Sequence, residues 1–263
     1  MKKNSLLWEI RKGKLISYVF GSIHLSTDKF DTLQKSISKY IESCQVCAIE
    51  INLEHAGRYD VNLLHSIKED ESYLHYLSEK KWKHLVETIQ EHIDLNMDEL
   101  KSLHPFIILN LVLQKLLSDS KGSILDEWIW NQAKENNKIL EGLEDLQEHY
   151  NTLHKIPIKL QYKLLYESLS DFSSFKRKMS KLLSAYLQQD IRKLFQQAKK
   201  YTGSARKVLL YERNISIADR IETLTSLNSV FAVAGAGHLY GKFGLLKLLK
   251  SKGFVIRPIK IET

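Results

Sequence analysis

The spacing of apolar residues places short strands at both ends of the chain and long helices between them. At the start, the apolar-rich runs LLWEI and LISYVFG flank the charged, glycine-containing segment RKGK, which is typical of a β-hairpin. The segment DKFDTLQKSISKYIESC then shows apolar side chains at helical spacing, and the short apolar run VCAIEI follows it. Strand, helix and strand within about thirty residues predict a βαβ unit with parallel pairing of its two strands.

The end of the chain repeats this order. The run VFAVAG predicts a strand, GKFGLLKLLKSKG predicts a helix with a leucine stripe, and FVIRPI predicts a final strand. A further strand, KILEGL, follows the predicted helix SILDEWIWNQAKENN. The residues from about 60 to 227 otherwise show mainly helical periodicity. The prediction is therefore one α/β domain over residues 1–263, with a mostly parallel or mixed sheet, an N-terminal β-hairpin, βαβ units at both ends and a large helical insertion.

Composition supports a globular protein and argues against a membrane span. Hydrophobic residues make up 43% of the chain and charged residues 27%, and three prolines leave no room for a long linker. The N-terminus lacks the apolar core of a secretory signal. The segment PFIILNLVLQKLL is shorter than the ~20 residues that a spanning helix needs. We therefore expect a cytoplasmic protein in which this segment is a buried helix.

The net charge of +8 is concentrated in one segment. Residues 155–207 contain thirteen basic and three acidic side chains, a net of +10, so the remainder is near −2. Such basic helices are candidates for contact with an acidic partner or a membrane surface, although lysines on amphipathic helices more often form a solvated face. Nucleic-acid binding is disfavoured, because the segment contains no recognised module and few interleaved aromatic residues. The sequence predicts no oligomeric state.

Four of the predicted strands end in a side chain that can take part in chemistry. His24 follows YVFG, Glu50 ends VCAIE, Glu141 ends KILE, and His238 follows FAVAG. Ligands of an open parallel sheet bind at the carboxyl ends of its strands, so we expect two imidazoles and two carboxylates at one edge. Three glycines beside the histidines, Gly21, Gly235 and Gly237, are expected to let a metal or substrate approach the backbone closely.

Two histidines with one carboxylate are a usual composition for a catalytic metal site. His24, His238 and Glu50 are therefore candidate ligands of Zn²⁺, Mn²⁺ or Co²⁺. A single Gly-x-x-His segment is a weak signal, because a histidine at a strand end is usually structural. Its occurrence at two matching positions favours a functional site. The other eight histidines show irregular spacing, and we assign them to surface or core positions.

Arg213 is the remaining candidate for the reaction. It lies in LLYERNISIADRI, a predicted helix, and its planar guanidinium is suited to stabilise an oxyanion or to hold a substrate carboxylate. A surface salt bridge is the alternative role. The candidate catalytic set is thus His24, Glu50, His238 and Arg213. Candidate substrate-binding residues are Arg213, Glu141, Tyr240, Gly21, Gly235 and Gly237.

Taken together, these segments resemble the TraB/GumN family, which includes TraB- and PrgY-type pheromone-shutdown proteins and the TIKI Wnt-inactivating proteases. The matching segments are LLWEI with YVFGSIHL, CAIEI, LDEWIWNQA with KILEGLEDLQEH, YERN, and VAGAGHLYGKFGLLKLLKSKGFVIRPI. The resemblance implies a fold related to erythromycin-esterase-like (EreA) and ChaN-like proteins, with a pocket formed by the paired Gly-x-x-His segments and the glutamate. Because the TIKI members are described as metal-dependent proteases, it points to His24, Glu50, Arg213 and His238, with Glu141 as a lesser candidate. Ser22 stands where the family usually has threonine.

Three functions remain open at this point. The first is a metal-dependent, peptidase-like hydrolase of a peptide or small acyl substrate, in which His24 and His238 bind the metal and Glu50 is a ligand or general base. The second is a metal-independent, esterase-like hydrolase with a histidine as base. The third is a non-catalytic protein that binds a peptide or signalling molecule through the basic helices at 155–207.

Overall fold

A computed structural model describes residues 4–56, 66–68, 71–93, 100–117 and 123–263. Within these residues, six strands form one mixed sheet in the order β4-β3-β5-β2-β1-β6. The strands are β1 (Leu7–Arg11), β2 (Ile16–Ser22), β3 (Val46–Ile49), β4 (Ile139–Gly142), β5 (Val230–Gly235) and β6 (Val255–Ile259). Each lies where the sequence predicts a strand, and the mixed α/β class is confirmed.

The order of the strands differs from the simplest prediction. β1 pairs antiparallel with β2, as expected for a hairpin, and β2, β5, β3 and β4 follow one another in parallel pairs. Direct pairing within each βαβ unit is wrong: β5 lies between β2 and β3, and β6 pairs with β1 at the far edge. β5 is apolar and buried along nearly all its length, so it gains most from a central position, whereas the partly exposed β4 and β6 form the edges.

Helices cover most of the described residues between the strands. They are α1 (Asp31–Glu42), α2 (Leu53–Ala56), α3 (Glu79–His92), α4 (Pro105–Leu117), α5 (Leu125–Glu135), α6 (Leu146–His154), α7 (Ile158–Leu169), α8 (Phe172–Leu187), α9 (Ile191–Thr202), α10 (Arg213–Thr225) and α11 (Leu245–Ser251). A π-helical segment, Lys207–Glu212, leads directly into α10. Four parts of the predicted helical region, residues 60–65, 69–70, 94–99 and 118–122, lie outside the described residues.

Two large clusters of buried apolar side chains hold most of these elements together, and a third, smaller one contains Phe106, Ile156 and Ala205. One of the two large clusters contains the sheet with α1, α5, α10 and α11, and the other lies among α3, α4, α7 and α8. Leu113, Leu117 and Leu182 pack against both clusters. The segment at Pro105 is the expected buried helix, and no described helix combines the length and the apolar character that crossing a membrane requires.

The parallel strands end at a common edge of the sheet. Ser22 of β2 lies opposite Gly235 of β5, and Ile49 of β3 lies opposite Gly142 of β4. The segments that follow these four strands therefore leave the sheet on the same side, which is where ligands bind in open parallel sheets.

Candidate active site

Glu50 directly follows β3 and lies at the centre of this edge. Its Oε1 accepts a hydrogen bond of 2.6 Å from the main-chain N–H of Gly235, and its Oε2 accepts one of 2.6 Å from Nη2 of Arg213. Burial by itself would raise the pKa of Glu50, but Arg213, the two histidines His238 and His24, and the Gly235 hydrogen bond hold this pKa well below its usual range. Glu50 is therefore an ionised carboxylate with only 13% of its side chain exposed.

Arg213 begins α10 and binds a second carboxylate, that of Glu144. Its Nε donates to Oε1 and Oε2 of Glu144 at 3.0 and 3.1 Å, and its Nη2 lies 2.5 Å from Oε2. Burial raises the pKa of Glu144, but hydrogen bonds from His149 and Arg213 outweigh this and lower it. One guanidinium thus lies between two largely buried carboxylates, and the three groups together carry a net charge of −1.

The register of β3 and β4 explains why Glu144 takes this position. Pairing continues beyond Gly142, because the N–H of Leu143 donates to the Ile49 oxygen at 2.8 Å and that of Glu144 to the Glu50 oxygen at 2.9 Å. Glu144 therefore lies beside Glu50. Glu141, the residue singled out in the sequence, lies within β4.

Glu141 forms a different ion pair. Its Oε2 accepts a hydrogen bond of 2.9 Å from Nη2 of Arg220. Both side chains are just over a third exposed, 35% for Glu141 and 38% for Arg220. The structure therefore pairs Glu141 with Arg220 and leaves Arg213 to Glu50 and Glu144.

His238 ends a short 3₁₀ turn after β5 and is buried. Its Nδ1 lies 2.6 Å from Oδ1 of Asn214. The amide nitrogen of Asn214 donates to the main-chain oxygens of His238 and Phe243, at 3.3 and 2.6 Å, which turns Oδ1 toward the ring. Nδ1 must then carry the proton, and Nε2 keeps its lone pair. Burial lowers the pKa of His238 to about 4 despite the nearby Glu50, so the ring is neutral at neutral pH.

His24 follows β2, and 65% of its side chain is exposed. Its Nδ1 lies 3.3 Å from Oδ2 of Asp126, a buried residue of α5, and this carboxylate raises the pKa of His24. The other oxygen of Asp126 accepts a hydrogen bond of 2.7 Å from Ser22 Oγ. Both histidines of the doubled motif therefore have Nδ1 next to a side-chain oxygen.

His149 of α6 adds a third potential metal ligand to the two glutamates. Its Nδ1 is 3.4 Å from Oε2 of Glu144. Among the residues that the structure describes, the group whose ligand atoms all lie within 4.8 Å of one another is Glu50, Glu144 and His149, and it does not include His24 or His238. Carboxylate and imidazole donors suit Zn²⁺, Mn²⁺ or Co²⁺, so the donor set fits a metal that shares both carboxylates with Arg213.

Two of the three candidate glycines are packed against protein atoms. A Cβ at Gly21 would lie 2.7 Å from Cδ1 of Leu239, and one at Gly237 would lie 2.8 Å from Cβ of Ala198. These positions need glycine because neighbouring side chains occupy the space. The approach of a ligand is therefore not required to explain them.

Gly235 is the glycine that borders the site. A Cβ here would lie 3.4 Å from Oε1 of Glu50 and 3.5 Å from Cδ2 of His238, both ordinary contact distances. The Cδ2 edge of the His238 ring, which adjoins Nε2, therefore lies near the Glu50 carboxylate. Gly235 also supplies the N–H that binds Glu50.

A cleft of about 780 Å³ adjoins the ion-paired cluster. It is lined by Glu144 and Arg213, by the Glu141–Arg220 pair, and by residues of α6. The hydrogen bonds of Arg213 to its two glutamates use Nε and Nη2 and do not involve Nη1. Tyr240 packs against Phe195 and lines a different cleft, of about 420 Å³.

The family of the chain follows from its sequence over nearly its full length. The model of the TraB/PrgY/gumN family matches residues 6–258. The chain therefore belongs to the TraB/PrgY/gumN family, as the short segments indicated. Comparison with curated proteins and with solved structures returned no match. The expected relationship to EreA- and ChaN-like folds stays a prediction.

Sequence reasoning missed four residues of the site, namely Asp126, Glu144, His149 and Asn214. Asp126 and Asn214 are buried polar residues on otherwise apolar helix faces, which is a signal that the sequence contains. Glu144 and His149 lie in EDLQEH, which contains three acidic residues, so the sequence does not indicate which side chain reaches the site. The position of Glu144 in the site depends on the register of β4, and that of His149 depends on the direction of α6.

Proposed function

We propose that this protein is a hydrolase that uses a divalent metal ion, with a peptide or a small acyl compound as substrate. The observation that carries the proposal is the convergence at one sheet edge of ionised Glu50, its partner Arg213, and the neutral, Asn214-bound His238. Family membership is consistent with this proposal and does not by itself establish an activity.

The geometry favours Glu50, Glu144 and His149 as the metal ligands, in place of the His24, His238 and Glu50 set expected from sequence. A bound Zn²⁺, Mn²⁺ or Co²⁺ would polarise a substrate carbonyl and lower the pKa of a bound water. His24, like His238, is then free of a metal-binding role and available for proton transfer.

The remaining roles follow from the contacts of the protein side chains. His238 keeps a lone pair on Nε2, and its ring lies at Gly235, the residue that also contacts Glu50, so it would accept a proton from water as general base. Arg213 lines the cleft, where its guanidinium would stabilise the oxyanion of a tetrahedral intermediate. The cleft beside Glu144 and Arg213 would hold the substrate, with Glu141 at its wall.

The test combines metal binding with a cleavage screen. Chelator-treated protein is titrated with Zn²⁺, Mn²⁺ and Co²⁺ by calorimetry and is then incubated with a peptide library that is analysed by mass spectrometry. We expect one metal per chain and metal-stimulated cleavage, both lost in Glu144→Gln and His149→Gln. Glu141→Gln, a matched carboxylate in the Arg220 pair, should retain both. Absence of metal binding together with absence of hydrolysis would contradict the proposal.

A metal-independent, esterase-like reaction is the second candidate, and the His24–Asp126 contact favours it. An acidic residue at Nδ1 of an exposed histidine is the arrangement of a general base that activates water through Nε2. Hydrolysis that resists chelation and is lost in His24→Asn would establish this version. Binding of a peptide without turnover would instead support the third function, a binding protein. A cytoplasmic location and a role of the basic helices in recognition also stay predictions.

A further inference from the structure

We propose that Asp126 and Asn214 are a matched pair of positioning residues, each of which binds Nδ1 of one motif histidine and thereby presents its Nε2 for the reaction. The inference deepens the proposed function and rests on it for the statement that these histidines act on substrate. The contacts at Nδ1 themselves are independent of any activity.

The first half of the pair is Asn214 with His238. The amide group of Asn214 has its orientation fixed, because its nitrogen donates to the main-chain oxygens of His238 and Phe243. Its Oδ1 can then only accept, and the ring nitrogen 2.6 Å away is Nδ1. The neutral ring is therefore the Nδ1–H tautomer.

The second half is Asp126 with His24. Nδ1 of His24 lies 3.3 Å from Oδ2, which is an ion-pair contact, since Oδ2 accepts no hydrogen bond from the described residues. The negative charge of the carboxylate favours the proton on the facing Nδ1 over the more distant Nε2. Burial of a carboxylate is costly unless it has partners. Oδ1 of Asp126 accepts a hydrogen bond from the hydroxyl of Ser22, whereas Oδ2 has no hydrogen-bond partner among the described residues and has the ring of His24 as its ion-pair contact. Both partners belong to the Gly-x-x-His segment itself.

The segment that carries His24 is anchored at Gly21 as well as at Ser22. Tyr186 Oη donates a hydrogen bond of 2.9 Å to the main-chain oxygen of Gly21, and Ser22 Oγ donates to Asp126 Oδ1. The second residue of the motif therefore contributes a hydrogen bond to one oxygen of the positioning carboxylate.

The test reads the tautomer of each histidine directly. Long-range ¹H–¹⁵N correlation spectra are recorded on the full chain, labelled with ¹⁵N-histidine and free of metal, at a pH above the pKa of His24. His24→Gln and His238→Gln variants assign the two rings. We expect both rings of the wild-type protein as the Nδ1–H tautomer, and an Nε2–H signal from either ring would overturn the proposal.

Two variants of the Asp126 network sharpen the result. In Asp126→Asn, Ser22 still donates to the remaining oxygen, so the new amide nitrogen faces His24 Nδ1 and should convert that ring to the Nε2–H tautomer. His238 should be unchanged and serves as the internal control. Ser22→Ala keeps the carboxylate and should keep the Nδ1–H tautomer of His24. An unchanged His24 tautomer in Asp126→Asn would contradict the proposal.

The measurement separates this inference from the proposed function. Both tautomers as expected, without metal binding or hydrolysis in the preceding experiments, would uphold the positioning roles and reject the reaction. Metal-stimulated hydrolysis with either ring as the Nε2–H tautomer would uphold the reaction and reject the positioning roles. Thermal melts of each variant show that the folded state is being compared.

Discussion

Arg213 donates a hydrogen bond of 2.6 Å from Nη2 to Oε2 of Glu50, a residue 163 positions earlier in the chain. The same nitrogen contacts Glu144, so one guanidinium joins the segments that follow β3 and β4 to the start of α10. This buried cluster links the stability of the sheet edge to the chemistry proposed for it.

Removal of Arg213 should strongly destabilise the protein. Arg213→Ala leaves Glu50 and Glu144 buried without their shared cation, which typically costs roughly 3–5 kcal/mol in the free energy of unfolding. The matched control is Arg220→Ala, which breaks the more exposed pair with Glu141 and should cost below about 1 kcal/mol. Urea unfolding of the two variants measures the difference. Equal losses in the free energy of unfolding would contradict the deeper burial of the Arg213 cluster relative to the Arg220–Glu141 pair.

Acidification should destabilise the folded protein through His238. The pKa of His238 is lowered to about 4 in the folded state, whereas an unfolded histidine titrates near 6.5. The unfolded chain therefore binds the proton first, and the free energy of unfolding should fall between about pH 6.5 and pH 4, on the order of 3 kcal/mol.

This pH dependence is measured by urea unfolding in a His24→Asn background. His24 has the opposite sign, because its raised pKa stabilises the folded state at low pH and loses that effect as pH rises through the folded pKa. Adding His238→Gln should flatten the curve in this window. The same slope with and without His238 would show that its ring is not buried in neutral form.

Alanine substitutions at Gly21 and Gly235 should have different effects, because Gly21 is required for packing and Gly235 borders the candidate active site. Gly21→Ala places a Cβ 2.7 Å from Leu239 Cδ1 and 3.1 Å from Ala236, so we expect a loss of roughly 1–3 kcal/mol in the free energy of unfolding. Gly235→Ala meets only ordinary contacts and should change stability little. Its new methyl group lies against Glu50 and His238, so metal binding or turnover is the property it should reduce. Thermal melts and the cleavage assay check both, and a fully stable Gly21→Ala would be contrary evidence.

The basic helices give a prediction about anionic surfaces. The side chains of Lys176, Arg177 and Lys178 on α8 are exposed. If this region recognises anionic lipid, charge reversal of all three should abolish co-sedimentation with phosphatidylserine vesicles, and moderate salt should weaken the wild-type interaction. Reversal of Lys80, Lys81 and Lys83 on α3 is the matched control. Equal binding by the two triple variants would show that the α8 cluster has no specific role.

The sequence by itself determined the local elements and the two Gly-x-x-His segments. All six described strands were predictable because alternation, apolar runs and turn residues are read within a few positions. The same logic placed His24, Glu50 and His238 at strand ends, and strand direction brought them to one edge. Arg213 was identifiable from residue type and context, although its partners were not.

Only the tertiary structure decided which side chains meet. The insertion of β5 between β2 and β3 depends on long-range pairing, which periodicity does not encode. The choice of Glu144 over Glu141 follows from register beyond Gly142, and the positions of His149, Asp126 and Asn214 follow from how three helices pack against the sheet edge. Burial and hydrogen bonding by residues distant in sequence then set the ionisation of Glu50 and the tautomer of His238, so the chemistry of the site is a property of the packed fold.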